Sequence, residues 1–409
     1  MRSGAAALSV YGASRLGFSQ LEAGIAQAQA GAGTEPILVS VFLDGGADSL
    51  SVLAPVNDSR YQQWRPTLKL NPGDGFEFDE DHDLRWHPRA EKLDTLHREG
   101  KVSVFPAIGY DHPDQSHFTS RHYWEVGELS INSSTGWMGR FLDVIGTPDN
   151  PLQGLSLDGS LSPALATASV PVAAVDGPTY DLWRAGVWEE GIEELMFEAA
   201  RDIGQAHAAG ADIGQAIAGN VEAQAMQVRA DLKTLPEEDP PALYPNAYFG
   251  RNLAALASML GAGLPIRCAA ISAAGGYDTH EGQDGSFGDD LETTVDALYA
   301  FQRDLEARGL DNRVVTLVWS EFGRRPEENG SRGTDHGAAG SAFLIGSPVA
   351  GQMVGEFPGL DVLDDDDNLR STSDFRSVYC SLLEQWFDQD VTDALIPGQS
   401  GFARPTLIG

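Results

Sequence analysis

The sequence contains little lysine. Only four of its 409 residues are lysine, namely Lys69, Lys92, Lys101 and Lys233. Arginine therefore supplies most of the positive charge. The formal net charge is −33 at pH 7. A surface of this sign repels phosphate backbones and anionic lipid headgroups, and we therefore predict neither a nucleic-acid partner nor polybasic membrane binding. The acidic excess fits a high-GC or salt-adapted source organism, and it equally fits a protein that attracts divalent cations.

Cysteine and long apolar runs are also scarce. The two cysteines, Cys268 and Cys380, form no C-x-x-C pattern, so we predict buried free thiols and no disulfide framework. No run reaches the roughly 20 apolar residues that a membrane-spanning helix needs, and we predict no such helix. What the chain does have is 42% hydrophobic residues, enough to form a substantial core.

The first 35 residues differ from the rest. They are small, Ala-rich and almost uncharged, which is typical of the apolar and cleavage regions of an export signal. Arg2 is the one basic residue before the apolar part, so the usual basic region is nearly missing. We interpret residues 1–35 as an export-signal-like or disordered leader that is truncated in this sequence. The alternative is an N-terminal amphipathic helix.

Residues 36–409 have the pattern of an α/β domain. Short apolar runs rich in β-branched residues predict strands, at residues 36–43, 101–108, 266–272, 313–319 and 342–345. Apolar residues at helical spacing predict helices between them, at residues 248–260, 291–305 and 375–387. Strands that alternate with helices favour a mostly parallel sheet with helices on both faces.

Two segments do not fit this alternation. Residues of about 180–240 are rich in Ala, Gln and Glu at helical spacing, and we predict a helical insertion there. Residues 361–368 include four consecutive aspartates, which predict a solvated loop. Calcium binding is the alternative for that loop, although it lacks the glycine-punctuated spacing of a dedicated calcium site.

Polar residues are concentrated where the predicted strands end. Ligands of open α/β sheets bind outside the carboxyl ends of the strands. Four strands each run into a cluster of glycine with acidic or histidine residues: Asp44 to Asp48, Ser116 with His117, Asp278 to His280, and Glu321 to Arg324 followed by Asp335 and His336.

Each cluster alone is a weak signal. An aspartate after a strand often caps the next helix, and a lone histidine is more often a core residue than a ligand. Four such clusters at successive strand ends indicate a shared site. Carboxylates and imidazoles without a thiolate suit zinc, manganese, magnesium or calcium. Two such ions polarise a phosphoryl or sulfuryl oxygen and activate a nucleophile.

Six motifs follow one another in order: Gly-Gly-Ala-Asp-Ser-Leu from residue 45, Gln-Ser-His-Phe from 115, Thr-Gly-Trp-Met-Gly-Arg from 135, Gly-Gly-Tyr-Asp-Thr-His from 275, Ser-Glu-Phe-Gly-Arg from 320 and Gly-Thr-Asp-His-Gly from 333. Over residues 36–390 the chain resembles the domain-of-unknown-function 1501 family of exported bacterial proteins, which often carry a twin-arginine signal. That family is grouped with the alkaline phosphatase and sulfatase superfamily. Its members use a two-metal site and a Ser, Thr or formylglycine nucleophile.

The resemblance implies roles for the motif residues. The implied metal ligands are Asp44 or Asp48 from the first strand, Asp278 with His280, Glu321, and His336 with Asp335. The implied catalytic residues are Ser116 as nucleophile, His117 beside it, and Arg324 as a bidentate holder of an anionic oxygen.

The chain also departs from the superfamily pattern. Phe322 follows Glu321 where an Asp-His pair is usual, so one expected imidazole is missing. Neither cysteine lies in a Cys-x-Pro-x-Arg segment, which excludes the usual formylglycine chemistry. The spacing of Asp278 and His280 is tighter than in phosphatases.

Two functions follow from this pattern. The first is an exported metal-dependent hydrolase of phosphate or sulfate esters, acting on a small molecule or glycan. The second is a non-catalytic secreted binding or envelope-assembly protein that retains the fold, and the missing imidazole motivates it.

Overall fold

The structure is a computed structural model that describes residues 8–11, 33–175, 189–208, 213–233 and 239–409. Its strands in chain order are β1 (Leu8–Tyr11), β2 (Ile37–Phe42), β3 (Leu53–Ala54), β4 (Phe76–Glu77), β5 (Arg85–Trp86), β6 (Val102–Gly109), β7 (Gly154–Ser156), β8 (Val172–Val175), β9 (Cys268–Ser272), β10 (Val314–Trp319), β11 (Arg324–Glu328), β12 (Thr334–His336), β13 (Gly340–Ile345) and β14 (Ser373–Asp374). Its α-helices are α1 (Ser49–Val52), α2 (Ser59–Trp64), α3 (Glu91–Arg98), α4 (His117–Val126), α5 (Trp137–Ile145), α6 (Glu190–Ala208), α7 (Ile213–Lys233), α8 (Tyr248–Gly261), α9 (Gln283–Arg308) and α10 (Phe375–Ser381).

The chain divides into two compact units. Unit 1 comprises residues 1–39, 132–241 and 251–271, and unit 2 comprises residues 40–131, 242–250 and 272–409.

Unit 1 contains a largely parallel group of strands. Strand β7 runs parallel to β8 on one side and to β9 on the other, while β1 pairs antiparallel with β8. Every residue of β7 and β8 is buried. Burial along the whole of a strand is what a parallel sheet covered on both faces requires.

Two predicted segments of unit 1 are described only in part. Of the predicted leader, strand β1 and residues 33–35 are described, and residues 1–7 and 12–32 lie outside the described residues. In the predicted insertion, α6 and α7 are helical, while residues 180–188, 209–212 and 234–238 lie outside the described residues. The domain boundaries at residue 35 and around the insertion stay predictions.

Unit 2 contributes the strand order β10-β13-β6-β14. Strand β13 is antiparallel to both of its neighbours, and β14 is parallel to β6. Strands β10, β6 and β14 therefore run in one direction, with β13 reversed between them. All residues of β6, β10 and β13 are buried.

The predicted α/β class with a mostly parallel sheet is confirmed. Each of the five predicted strands is present, as β2, β6, β9, β10 and β13, and the predicted helices are present as α8, α9 and α10. The two cysteines are buried free thiols, as predicted. Residues 361–368 form neither helix nor strand, and Asp364 accepts backbone hydrogen bonds from Asp366 and Asn368 within that loop.

An aromatic stack in unit 2 joins α4 to β10. The Trp124 ring lies parallel to the Trp319 ring, with centroids 5.2 Å apart and planes 7° apart, and it stacks on Phe375 at 4.5 Å. Each such pair contributes about 0.5–1.5 kcal/mol beyond the area it buries. Because α4 begins at His117 and β10 ends just before Glu321, this stack fixes the elements that carry both residues.

In unit 1, α5 packs directly on backbone. Gly136 donates its N–H to the carbonyl of Ala166 at 2.9 Å. One turn later, a Cβ added at Gly139 would lie 1.9 Å from the same carbonyl oxygen. Glycine is therefore the residue that allows this approach.

We expect Gly139→Ala to lower the free energy of unfolding by about 1–3 kcal/mol or more, because the added methyl group overlaps backbone that cannot rotate away. Urea denaturation measures the change. The matched control is Gly191→Ala, at an exposed position in α6 with no atom within 4 Å of the added Cβ. The control should leave stability unchanged or raise it, and equal losses for both variants would contradict the close approach at Gly139.

Candidate metal centre

Three histidines of unit 2 direct their Nε2 atoms at one carboxylate oxygen. The Nε2 atoms of His117, His280 and His336 lie 3.5, 3.1 and 3.5 Å from Oδ1 of Asp278. The ligand atoms of His117, Asp278 and His336 all lie within 4.8 Å of one another. We call these four residues the histidine cluster. Its members come from the start of α4, the segment after β9, and β12.

Each imidazole of the histidine cluster is oriented by a hydrogen bond at its Nδ1 atom. Every Nδ1 atom faces an oxygen that only accepts hydrogen bonds: Glu321 Oε1 at 2.7 Å for His117, Asp335 Oδ1 at 3.2 Å for His280, and the Gln115 carbonyl at 2.7 Å for His336. Such acceptors require the proton on Nδ1, which leaves the Nε2 lone pair directed at Asp278. Histidines that bind metals usually donate their second ring N–H in this way.

The electrostatics of the histidine cluster favour the metal-binding protonation states. Burial opposes the ionisation of Asp278, but the hydrogen-bonded Arg324 guanidinium 2.6 Å away lowers the pKa of this carboxyl. Burial, together with the positive charge of Arg324, lowers the pKa of His336. Asp278 is thus an anion and His336 a neutral imidazole near neutral pH.

Two observations show that the residues present fit a cation. The Nε2 atom of His117 is buried without a hydrogen-bond partner in the part of the chain that the structure describes, and an unpartnered buried group of this kind costs about 1–3 kcal/mol. The Nε2 atoms of His280 and His336 lie 2.9 Å apart. With the proton on Nδ1 of both rings, two lone pairs face each other there. A divalent cation satisfies all of these nitrogen atoms.

The histidine cluster is open to solvent on one side. The side chain of Asp278 is 51% exposed and that of His280 is 45% exposed. An ester group can therefore approach the site from solvent.

The start of α4 brings Ser116 next to the histidine cluster. Ser116 is the N-cap residue, with extended backbone angles, and its side chain does not cap the helix. The backbone N–H of Ser116 donates a hydrogen bond to Asp114 Oδ1 at 2.8 Å. Ser116 thus directly precedes His117 at the positive end of a ten-residue helix.

The Gly45–Gly46 turn after β2 lies against the Asp278 loop. Gly45 has a φ of 113°, and a Cβ added there would lie 2.3 Å from the backbone nitrogen of Asp278. Both glycines donate their N–H groups to the Glu321 carboxylate, at 3.1 and 3.0 Å. Glu321 is fully buried and reaches the histidine cluster through His117.

Asp48 is part of a buried ion pair. Its two oxygens accept hydrogen bonds from Arg65 at 2.6 and 2.9 Å, and one of them also accepts from Ser51 and Gln283. Burial, the largest single influence, would raise the pKa of Asp48, but Arg65 together with the hydrogen bonds from Ser51 and Gln283 lowers it. Asp44 is exposed, and its carbonyl accepts a hydrogen bond from Tyr277 at 2.9 Å. The described contacts bring neither aspartate to the histidine cluster.

Arg324 is also engaged inside the protein. It is fully buried and donates to the carbonyls of Gly46 and Thr334 at 2.8 Å, to that of Gly45, and to Asp278. The expected role, bidentate binding of an anionic oxygen, requires donors that these contacts already use. In the structure Arg324 instead donates a hydrogen bond to Asp278 from the protein interior.

Phe322 packs against two of the histidines, which also contact each other. Its ring centroid lies 4.9 Å from that of His117 and 4.8 Å from that of His336. The residue that replaces an expected imidazole thus packs against the histidine cluster as an apolar wall.

Sequence reasoning missed several residues of this site. These are the Gln115 carbonyl that accepts from His336 and the Asn329 amide that donates to Asp335 at 3.1 Å. Gln115 is the first residue of the Gln-Ser-His-Phe motif, and this position was the available signal, whereas Asn329 lies in no motif. Arg65, the partner of Asp48, had no such signal in the sequence, because it lies outside every motif.

The family of the chain follows from a direct match. The profile of a family described as "Protein of unknown function (DUF1501)" matches residues 111–383, which is more than half of the chain. The chain therefore belongs to the DUF1501 family, as the resemblance predicted. No curated protein matches the chain.

Solved structures with a similar arrangement share little sequence. The C-terminal periplasmic domain of EcEptC from Escherichia coli, in complex with Zn, is 8% identical, with 92% of this chain and 93% of that chain covered and a TM-score of 0.40. The PsFucS1 sulfatase from Pseudoalteromonas sp. is 10% identical, with 95% and 77% covered and a TM-score of 0.36. A protein in the alkaline phosphatase superfamily from Vibrio parahaemolyticus is 10% identical, with 91% and 70% covered and a TM-score of 0.39.

The ion pair of Asp48 generates a stability prediction. We expect Arg65→Met to lower the free energy of unfolding by about 3–5 kcal/mol, because it leaves a buried carboxylate without its cation. Since the pKa of Asp48 is lowered on folding, this stabilisation is present above the unfolded pKa of about 3.9 and is lost as the pH falls through the folded pKa. Denaturant unfolding at several pH values measures both effects.

The control is Lys92→Met, which removes a largely exposed pair with Asp296 and should cost no more than about 1 kcal/mol. Similar losses for the two variants would contradict the structural role of Asp48.

The histidine cluster generates a binding prediction. We expect wild-type protein to bind Zn²⁺ or Mn²⁺, and His117→Ala or His336→Ala to weaken binding at least about tenfold because each removes a ligand. Isothermal titration calorimetry of metal-stripped protein measures the affinity. His122→Ala is the matched control, since His122 lies on α4 and contacts the carbonyl of Ser130. An affinity lowered equally by all three variants would contradict the assignment.

Proposed function

We propose that this DUF1501-family chain is an exported, metal-dependent hydrolase of phosphate or sulfate esters in which Ser116 is the nucleophile. The observation that carries the proposal is the placement of three Nε2 atoms around Oδ1 of Asp278, with Ser116 directly before His117 in the chain. The substrate class is a small-molecule or glycan ester.

The histidine cluster supplies the ligands for the metal. Its three imidazoles and one carboxylate favour zinc or manganese over magnesium and calcium, which prefer all-oxygen sites. A bound metal acts as a Lewis acid toward the ester oxygen. The residues behind the cluster, Glu321 and Asp335 among them, keep the ligand rings oriented.

The protein's own steps centre on Ser116. Its Oγ forms a bond to the phosphorus or sulfur atom and loses its proton to water, while the bond from that atom to the alcohol oxygen breaks and the departing oxygen takes up a proton from water. Water then displaces Oγ, releases phosphate or sulfate, and restores the serine. The N–H groups at the start of α4 favour negative charge at this position.

Export is proposed from the composition of the leader. Residues 1–35 have the small, Ala-rich character of a signal region, and we infer export through a twin-arginine signal, as the family resemblance implies. Within the residues that the structure describes, no helix has the length and apolar character to span a bilayer.

A second candidate is a secreted binding or envelope-assembly protein that retains the fold without turnover. Two observations favour it. Arg324 uses its donors internally, and Phe322 takes the place of an expected imidazole. In this case the protein binds metal, cleaves no ester, and copurifies with a partner.

Substitution of Ser116 tests the hydrolase. We expect Ser116→Ala to reduce the turnover of generic phosphate or sulfate esters by about 10³-fold or more, since only binding and electrostatic contributions remain. Steady-state assays with Zn²⁺- or Mn²⁺-loaded protein measure the rate, and calorimetry should give an unchanged metal affinity.

Ser59→Ala, at an exposed serine that begins α2, is the control and should be fully active. A wild-type protein without metal or turnover, or a Ser116→Ala variant with full turnover, would overturn the proposal.

A further inference from the structure

Glu321 is a buried carboxylate with donors on both oxygens. Oε1 accepts hydrogen bonds from the backbone of Gly45 at 3.1 Å and from His117 Nδ1 at 2.7 Å. Oε2 accepts from the backbone of Gly46 at 3.0 Å. The hydroxyl of Ser320 also lies 3.0 Å from Oε2 and 2.7 Å from the carbonyl of Leu43, so its one proton serves either oxygen.

This arrangement is unlike that of a metal ligand. A carboxylate has about four lone-pair positions, and three or four of those of Glu321 are used. The side chain is 0% exposed, whereas Asp278 is 51% exposed. An ion that approaches from the open side of the histidine cluster therefore meets Asp278 and the Nε2 atoms, with the His117 ring between it and Glu321.

We infer that Glu321 is a positioning residue that acts through His117, and not a metal ligand. It accepts the Nδ1 proton of His117, which fixes the tautomer whose Nε2 lone pair faces Asp278. It also ties the ring to the Gly45–Gly46 turn, because the same carboxylate holds both glycine N–H groups. The inference deepens the proposed function and rests on the metal site of that proposal.

The His117 ring is restrained by few other contacts that would set its tautomer. Its faces pack against Phe322 and His336, with ring centroids 4.9 and 4.3 Å away, and these contacts do not select one nitrogen. Its Nε2 has no hydrogen-bond partner among the described residues. The choice between the two tautomers therefore depends on Glu321.

The first test uses metal-free wild-type protein. A two-bond proton–nitrogen correlation spectrum of the histidine rings, assigned with His117→Gln, reports which nitrogen carries the proton. We expect His117 to be protonated at Nδ1 and unprotonated at Nε2. A proton on Nε2 in the neutral ring would overturn the inference. This measurement needs no substitution at Glu321, so it decides the matter even where such a variant fails to fold.

The second test measures Zn²⁺ affinity by calorimetry. In Glu321→Gln the carboxamide keeps the volume but presents an NH₂ group to one of the donors, which removes an acceptor. We expect the Zn²⁺ dissociation constant to rise about 10–100-fold, as for other residues that orient metal ligands. The matched control is Glu125→Gln. Glu125 is also buried, but its ion-pair partner is Arg121, one turn earlier in α4. Its Zn²⁺ affinity should equal that of the wild type.

A double-mutant cycle separates positioning from direct ligation. If Glu321 acts through His117, the Glu321→Gln substitution should cause no further loss of Zn²⁺ affinity in a His117→Ala background. Equal losses in both backgrounds are the result expected of a direct ligand, and they would overturn the inference. If the wild-type protein binds neither Zn²⁺ nor Mn²⁺, the proposed function is wrong. The tautomer of His117 in the metal-free protein would still test the role of Glu321 in that case.

Discussion

The site depends on the orientation of three imidazole rings toward one carboxylate oxygen. Nitrogen lone pairs do not converge on a single point unless each ring is restrained on its far side. Here the restraints are a buried carboxylate for His117, an exposed carboxylate for His280 and a backbone carbonyl for His336. They come from the segment after β10, from β12 and from the segment after β6, so these elements of unit 2 must form before the site exists.

The acidic residues of the motifs have different roles because their surroundings differ. Asp48 is neutralised by Arg65 in the interior and stabilises the fold. Glu321 is buried among N–H donors and supports His117. Asp278 is half exposed beside Arg324 and remains an anion that faces the three Nε2 atoms. Residue type alone did not distinguish these roles, since each is a carboxylate that follows a strand.

The sequence was a good guide to the strands and a partial guide to the site. Apolar runs predicted β2, β6, β9, β10 and β13, because burial on both faces leaves a continuous apolar signal. It did not predict that β13 runs antiparallel, since direction leaves no mark in composition. The strand-end motifs contained His117, Asp278, His280 and His336, which the structure brings together. Two of the partners that decide these roles, Arg65 and Asn329, lie in no motif.

The central claim is that the histidine cluster binds a metal through imidazole nitrogen. X-ray absorption at the zinc edge of Zn²⁺-loaded wild-type protein tests this most directly. The account predicts one tightly bound zinc with nitrogen and oxygen ligands at about 2.0–2.2 Å, and outer-shell scattering from two or three imidazoles. A protein that retains no zinc, or a zinc bound by oxygen atoms alone, would contradict it.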